Sequence, residues 1–231
     1  MKKIKIATLA AITGIAITFT ACGANNKSEA GGNAKTENST ETTKETVASK
    51  MSGEFTLGET GDSSYKNTFY DVSFEAPDGW EIADTARRAK IDDITSAELT
   101  YDSVKATIDS GKTRTLFFAE ESSGNNNIMI SANKRSDAKE VTAEKIIDSA
   151  LPNLKATYEK QGYSDVNVTK ESVKFKGLDT PAVKIVGKYN GKNVYHTQVL
   201  VVNGSYDGLI TATSFEKDEN QRILNLIKPA N

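Results

Sequence analysis

The chain has a single cysteine, a single histidine and a single tryptophan among its 231 residues. One cysteine cannot form an internal disulfide, and it cannot supply a cluster of thiolate metal ligands. With one histidine, a zinc site would need several carboxylates, and no spacing of Asp and Glu here requires such a site. These absences exclude disulfide scaffolds and thiolate metal centres. We expect no cofactor, and the fold must be held together by its hydrophobic core.

An excess of positive charge is also missing. The sequence contains 29 Lys and Arg residues against 31 Asp and Glu residues, which gives a formal net charge of −2. Nucleic-acid-binding domains carry a concentrated basic patch, and no such patch is present in this sequence. We therefore expect no nucleic-acid partner.

The first residues lack an apolar run long enough to span a membrane. The chain begins MKKIK, and residues 6–19 carry no charge, whereas a spanning helix needs about 20 apolar residues. A basic start, a short apolar run and small residues predict a secretory signal over residues 1–21. The segment that ends in Cys22 resembles the lipobox of bacterial lipoproteins, which implies that Cys22 carries a diacylglyceryl group. The alternative is an ordinary signal peptide in which Cys22 has no role.

Residues 22–53 contain no aromatic residue and are rich in Asn, Thr, Ser, Glu, Lys and Gly. Such a segment cannot bury enough apolar surface to offset the entropy lost on ordering. We interpret it as a flexible tether whose r.m.s. span is about 30 Å. Residues 54–231 then form one domain, long enough to bury a substantial core.

Hydrophobic spacing predicts a mixture of helices and strands in this domain. Pro152 is expected to bend or split one helix near Leu151. The predicted elements are a strand over 69–74, a helix over 94–108, a hairpin formed by 115–122 and 127–134 with its turn near Gly124, and helices over 142–160 and 218–228.

The C-terminal third carries two Asn-Gly pairs, each of which separates runs of strand-forming residues. Asn-Gly is a strong signal for a type I′ hairpin turn. Three antiparallel strands follow, over 180–189, 192–202 and 205–214, with Tyr189 opposite Lys192 and Val202 opposite Ser205. Both faces of this meander carry apolar residues, which predicts helices on each side of the sheet.

Several segments resemble the PsbP-like fold, which includes PsbP itself and DcrB-like bacterial proteins. They are Tyr65 to Trp80 with its P-x-x-W end, Gly162-Tyr163, the stretch GLDTPAVKI and the two Asn-Gly hairpins. The resemblance implies an α+β fold in which an antiparallel sheet is flanked by helices as an α/β/α sandwich. The chain is also similar to small surface lipoproteins of Gram-positive bacteria whose function is not established. The resemblance therefore implies a fold and a surface location but no activity.

His196 and Trp80 are the two candidate functional residues of the domain. We expect His196 in mid-strand, on the face that Ile185 and Thr211 share, without the serine and acid that a catalytic triad needs. A structural role is thus favoured over a catalytic or ligand-binding one. Trp80 follows a Pro-Asp-Gly turn and is expected at the edge of the core, the alternative being an exposed platform for sugars.

These observations favour an extracytoplasmic lipoprotein, anchored to the outer face of the membrane, that is not an enzyme. Its domain would act as a noncatalytic binding or assembly module, presenting a sheet edge or an interhelical cleft to an envelope protein or a small ligand. The alternative is a cell-envelope hydrolase or transferase, which requires a cleft that gathers perturbed titratable residues around His196. A solute-binding protein is a weaker hypothesis, because those proteins usually close two domains around a hinge.

Overall fold

The computed structural model describes residues 53–136 and 141–230, and all strand pairs in that part of the chain are antiparallel. The predicted signal peptide, Cys22 and the tether up to residue 52 lie outside the described residues. The described part is mixed α+β and mostly antiparallel sheet with few helices, in agreement with the predicted class.

A small sheet has the order β1-β2-β3-β11, and its strands are β1 (Glu59–Thr60), β2 (Ser64–Asn67), β3 (Val72–Glu75) and β11 (Ile227–Lys228). A seven-stranded sheet has the order β4-β5-β6-β10-β9-β8-β7, and its strands are β4 (Trp80–Ile82), β5 (Arg114–Glu121), β6 (Asn126–Lys134), β7 (Tyr163–Phe175), β8 (Leu178–Tyr189), β9 (Lys192–Asn203) and β10 (Tyr206–Phe215). The helices are α1 (Thr85–Ile91), α2 (Tyr101–Asp109), α3 (Ala143–Lys160) and α4 (Asn220–Leu224), with a 3-10 turn over Ser96–Glu98.

The hairpin between β8 and β9 has the predicted register. Tyr189 lies opposite Lys192, and Asn190 and Gly191 have φ angles of 50° and 79°. Two central residues with positive φ define a type I′ turn, which Asn-Gly accommodates at little cost.

The hairpin between β9 and β10 differs from the prediction. Asn203 pairs with Tyr206, and Val202 pairs with Asp207 instead of Ser205. The turn residues are therefore Gly204, with φ of 60°, and Ser205, because the Asn203 side chain donates to the Phe69 carbonyl over 2.8 Å and stays in the strand. The register moves by two positions, so each residue keeps the face that was predicted for it.

The prediction missed β7, which is a long edge strand. Its pairing with β8 shifts between Ser164 and Asn167, where Asp165 has a φ of 54°. Val166 packs on one face of the sheet, whereas Val173 packs on the other. Because the buried positions change face along the strand, the sequence of β7 shows no sustained alternation of apolar and polar residues.

Two helix predictions need correction here, and one helix was not predicted. Helix α3 runs unbroken through Pro152, which lies on its exposed side, where solvent can bond the carbonyl that proline leaves without a donor. The predicted helix over 94–108 begins only at Tyr101, because Thr100 accepts from the Ser103 amide as an N-cap. The segment that forms α1 was not predicted to be helical.

The C-terminal helix is shorter than predicted, since α4 ends at Leu224 and β11 follows it. Ile227 pairs with Phe74 in β3. The segment beyond it is held by the Ser73 hydroxyl, which donates to the Pro229 carbonyl over 2.9 Å, and by the Asp71 carboxylate, which accepts from the Ala230 amide over 2.9 Å. These bonds to distant residues favour a strand where local spacing favoured a helix.

The seven-stranded sheet is covered on both of its faces. The aromatic face packs against the small sheet, α2 and α4, and its core includes Tyr65, Phe74, Trp80, Phe117, Ile130, Val199 and Ile210. The α3 face packs against α1 and α3, where Leu154 and Tyr158 contact Ile185 and Val194. Helices do lie on both sides, as predicted, and the small sheet is an unpredicted addition. Among the described residues, none of the helices combines the length and apolarity that spanning a membrane requires.

Candidate functional site

His196 lies in β9 between Ile185 of β8 and Thr213 of β10, on the α3 face. Its side chain is 2% exposed. The Nε2 atom is 3.1 Å from the Tyr163 hydroxyl, and the Nδ1 atom is 2.9 Å from the Thr213 hydroxyl. Hydroxyl groups both donate and accept, so either neutral tautomer is satisfied. Burial lowers the pKa of His196 to about 4, and the ring is therefore neutral at pH 7.

Two tyrosines enclose this histidine. The rings of Tyr158 and Tyr163 meet edge to face at 5.1 Å, and the Tyr158 ring centroid is 5.5 Å from that of His196. Burial raises the pKa of both tyrosines. The Tyr158 hydroxyl accepts from Gln198 Nε2 over 3.2 Å. Perturbed titratable groups thus gather around His196, and each is held in its neutral form.

This cluster has the geometry of a satisfied structural histidine. A general base must reach the proton it removes, and both nitrogens of His196 already contact protein hydroxyls. Within residues 53–136 and 141–230, no group of three or more His, Cys, Asp and Glu side chains is arranged to hold a metal ion.

Beside this satisfied cluster lie three buried polar atoms without a hydrogen-bond partner. They are Gln198 Oε1, Thr211 Oγ1 and Ser131 Oγ. Gln198 is opposite Thr211, and Thr211 is opposite Met129. Ser131 is two positions from Met129 on β6, so the three atoms follow a diagonal across β9, β10 and β6 on the α3 face. Each residue is at most 2% exposed.

The two helices of this face lie on either side of that diagonal. Helix α1 contacts β5, and its Ile91 packs on Met129. Helix α3 contacts β7, β8 and β9, and its Ile146 packs on Leu209. We call the surface between them the interhelical strip; it consists of Met129, Ser131, Gln198, Leu209 and Thr211. Its apolar members are covered by α1 and α3, whereas its polar members carry the unpartnered atoms.

An unsatisfied buried polar group costs about 1 to 3 kcal/mol. Native proteins contain few such groups, and each calls for a physical reason, such as strain, a bound molecule or water. Three buried polar groups without a partner lie close together in the interhelical strip. The interhelical strip is therefore the candidate site of the domain.

A sheet edge was the other surface considered from the sequence, and the β7 edge of the seven-stranded sheet is protected. Strand β7 carries a bulge next to Asp165, and lysines follow along the strand. The Gln221 side chain accepts from the Lys174 amide over 3.1 Å and donates to the Lys174 carbonyl over 2.7 Å. Bulges, lysines and covering side chains are the devices that stop an edge strand from pairing with another chain.

Trp80 belongs to the core. It is 7% exposed, and its ring centroid is 6.0 Å from that of Phe74. A platform for sugar stacking needs an exposed ring face, so this alternative is wrong for Trp80. Cys22 lies outside the described residues, and its lipidation stays a prediction.

His196 was predicted from the sequence as a candidate residue, whereas the residues around it were not. The signal for those residues is polar side chains at inward positions of strands that are otherwise apolar. Once the pairing register of β6, β9 and β10 is known, these inward polar positions form one patch. Its residues are Ser131, His196, Gln198, Thr211 and Thr213.

No protein-family model and no curated protein sequence matches this chain. Among solved structures, the chain is similar to LpqN, which is described as involved in cell envelope biogenesis of Mycobacterium tuberculosis. The two chains are 12% identical, the match covers 72% of this chain and 79% of that one, and the TM-score is 0.33. A likeness of this size carries no inference about the fold or the site.

Proposed function

We propose that this protein is an extracytoplasmic lipoprotein. Residues 1–21 direct its export, a diacylglyceryl group on Cys22 anchors it to the outer face of the cell membrane, and residues 22–53 act as the tether. Two acyl chains are enough for stable anchoring, whereas one is marginal. The charge-free run that ends in Cys22 and the polar composition of residues 22–53 support this part of the proposal.

The domain over residues 54–231, in this proposal a PsbP-like sandwich, acts as a noncatalytic binding or assembly module for an envelope protein or a small ligand. The observation that carries this function is the interhelical strip, in which three buried polar atoms lack a partner. The protected edge of β7 makes the strip the better binding surface. His196 stabilises the face beneath α3 and takes no part in chemistry.

A cell-envelope hydrolase or transferase is the second candidate. The gathering of Tyr158, Tyr163 and His196 favours it, because perturbed titratable groups cluster at active sites. Desolvation is the largest cause of all three pKa shifts, and buried structural groups show the same signature.

Crosslinking on intact cells, followed by mapping of the crosslinked residues by mass spectrometry, tests the binding function. Lys155, on α3, is exposed on one side of the molecule, and Lys66, on β2, is exposed on the other. We expect a discrete crosslinked species through Lys155 and its neighbours and little through Lys66. Equal crosslinking at both lysines would contradict the proposed surface. An activity that His196→Ala abolishes, without a change in the melting curve, would establish the enzyme instead.

A further inference from the structure

We propose that the interhelical strip binds an uncharged small molecule of about monosaccharide size through its hydroxyl or amide groups. The proposal rests on the binding function proposed above and adds the chemical class of the ligand. Four features of the strip support the proposal: its unpartnered hydrogen-bonding atoms, the absence of charge on its side chains, its length and the helix that covers it.

The unpartnered atoms define what the ligand must present. Gln198 donates through Nε2 to Tyr158, so its free Oε1 needs a donor. The hydroxyl groups of Ser131 and Thr211 can each donate and accept. A molecule with several hydroxyl groups, or with hydroxyl groups and an amide, satisfies all three residues.

The five side chains of the strip carry no charge, which disfavours a charged ligand. His196 and Tyr158 are neutral at pH 7, because burial lowers the pKa of the first and raises that of the second. The Asp92 carboxylate accepts from the amide of Thr115, which lies opposite Ser131, over 3.0 Å and from its hydroxyl over 2.6 Å. The Asp207 carboxylate, two positions from Leu209 on β10, is paired with Arg135 over 2.9 Å. Arg88 of α1 donates through Nη1 to the Leu116 carbonyl over 2.7 Å, while its buried Nε lacks a partner, so glucose 6-phosphate is the anion against which this part of the proposal is tested. A buried charge without a paired counter-charge is strongly disfavoured.

The length of the strip limits the size of the ligand. The three polar atoms belong to three adjacent strands, β6, β10 and β9. Adjacent strands are about 4.8 Å apart, and the diagonal also advances two residues, about 7 Å, along β6, so Gln198 and Ser131 are about 12 Å apart along the sheet. A six-membered ring with its substituents, hydrogen-bonded at both ends, spans this distance.

The three polar residues are buried, and α3 covers Gln198, which donates to Tyr158 of that helix, so a molecule that reaches Gln198 requires a movement of α3. The N-terminal half of α3 is tied to β7 by Lys170, whose Nζ lies 2.8 Å from Glu144 and 2.7 Å from Asp148. These acids are more than half exposed, and exposed ion pairs contribute little stability. Pro152 removes one backbone hydrogen bond within α3. The ion pairs and the proline therefore oppose separation of the N-terminal half of α3 only weakly, while the buried side chains of the helix, among them Leu154 and Tyr158, still hold it on the sheet.

The test compares neutral sugars with charged analogues on the mature lipoprotein in detergent. The neutral probes are glucose and N-acetylglucosamine, and the matched charged probes are glucose 6-phosphate and glucosamine. We expect a saturable rise in the melting midpoint with at least one neutral sugar, and none with the charged ones. Hydrogen exchange of the α3 amides should slow when the neutral sugar is bound.

Two variants assign the binding to the strip. Thr211→Val keeps the side-chain shape and removes one hydroxyl, so the affinity for the neutral sugar should fall about tenfold. Thr197→Val is the matched control, because Thr197 lies on the aromatic face and accepts from Asn220. It should lower the melting midpoint and leave the affinity unchanged.

The proposal is overturned if glucose 6-phosphate or glucosamine binds as tightly as the neutral sugars, if Thr211→Val keeps full affinity, or if neither neutral sugar gives a saturable response. In the last case the unpartnered atoms hold water or store strain. A crosslink through Lys155 on intact cells would still support the binding module in that case. The absence of both results would reject the ligand class and the binding function together.

Discussion

The two faces of the seven-stranded sheet are built on different principles. On the aromatic face, the Phe117 ring stacks on Tyr65 at 4.5 Å and lies 5.1 Å from Phe74. A buried polar residue there, Asn67, donates to the Tyr65 hydroxyl and accepts from the Tyr70 amide. The Tyr70 hydroxyl is an exception, being buried without a partner.

The α3 face instead mixes aliphatic contacts with a row of polar side chains. His196 and Thr213 are satisfied by each other, whereas Gln198, Thr211 and Ser131 each retain an unpartnered atom. Aromatic burial contributes much stability, while unsatisfied polar groups reduce it. The comparison indicates that the aromatic face contributes more to the stability of the fold and that the α3 face is the weaker one.

Phe117 and Phe118 test this comparison most strongly, because neighbouring residues in a strand point to opposite faces. Phe117→Ala should lower the free energy of unfolding by about 3 to 5 kcal/mol, the usual cost of a large cavity. Phe118 packs in a smaller cluster, with the Arg87 guanidinium 5.3 Å from its ring centroid, and Phe118→Ala should cost less. Urea unfolding measures both values, and equal losses would remove the distinction between the faces.

His196 gives the α3 face a dependence on pH. Its pKa is about 4 in the folded state and about 6.5 in an unfolded chain. Between these values the unfolded state binds more protons, so stability is fully present above pH 6.5 and is lost as the pH falls towards 4. The expected loss is about 3 kcal/mol.

Urea unfolding between pH 7 and pH 4 measures this loss, and His196→Gln is the control. The variant should be less stable at pH 7 and should show a flatter profile over the same window. The pKa of Asp109 is lowered to about 2 by hydrogen bonds from Lys105, Tyr206 and Lys134. Its protonation therefore reduces stability mainly below this pH window. An unchanged profile in the variant would show that His196 does not titrate on unfolding.

Gly208 tests how tightly the aromatic face is packed. A Cβ atom at this position would lie 2.8 Å from the Tyr70 ring, so Gly208→Ala should cost about 1 to 3 kcal/mol through overpacking. On the α3 face, a Cβ at Gly187 would meet the Ser164 carbonyl at 3.1 Å, next to the bulge of β7. Gly187→Ala should cost less, and the reverse order in thermal unfolding would contradict the comparison.

Local patterns predicted much of the fold. Asn190-Gly191 fixed one hairpin because its chemistry suits one turn type, and Thr142 with the apolar spacing after it predicted α3. The missed elements depend on contacts between distant residues. Ile227 pairs with Phe74, and no local pattern reports that pairing.

The site was predictable only in part. His196 was found because it is the only histidine, and its strand and face follow from the first hairpin. Its partner Tyr163 begins β7, the missed strand, so the hydrogen bond between them could not be inferred. Ser131 and Thr211 become neighbours only when β6 and β10 pair, a pairing between strands separated by α3 and three other strands.

Thr211 and Thr213 give the finest test, because they lie two residues apart on the same strand and face. The Thr213 hydroxyl bonds His196 over 2.9 Å, so Thr213→Val leaves a buried nitrogen unpaired and should lower the free energy of unfolding by about 1 to 3 kcal/mol. The Thr211 hydroxyl has no partner, so Thr211→Val removes an unsatisfied group and should raise the free energy of unfolding, by about 1 kcal/mol. Urea unfolding of the ligand-free protein measures both signs. A loss of stability in Thr211→Val would mean that a bound water or ligand already satisfies this hydroxyl, and the α3 face would then be no weaker than the aromatic one at this point.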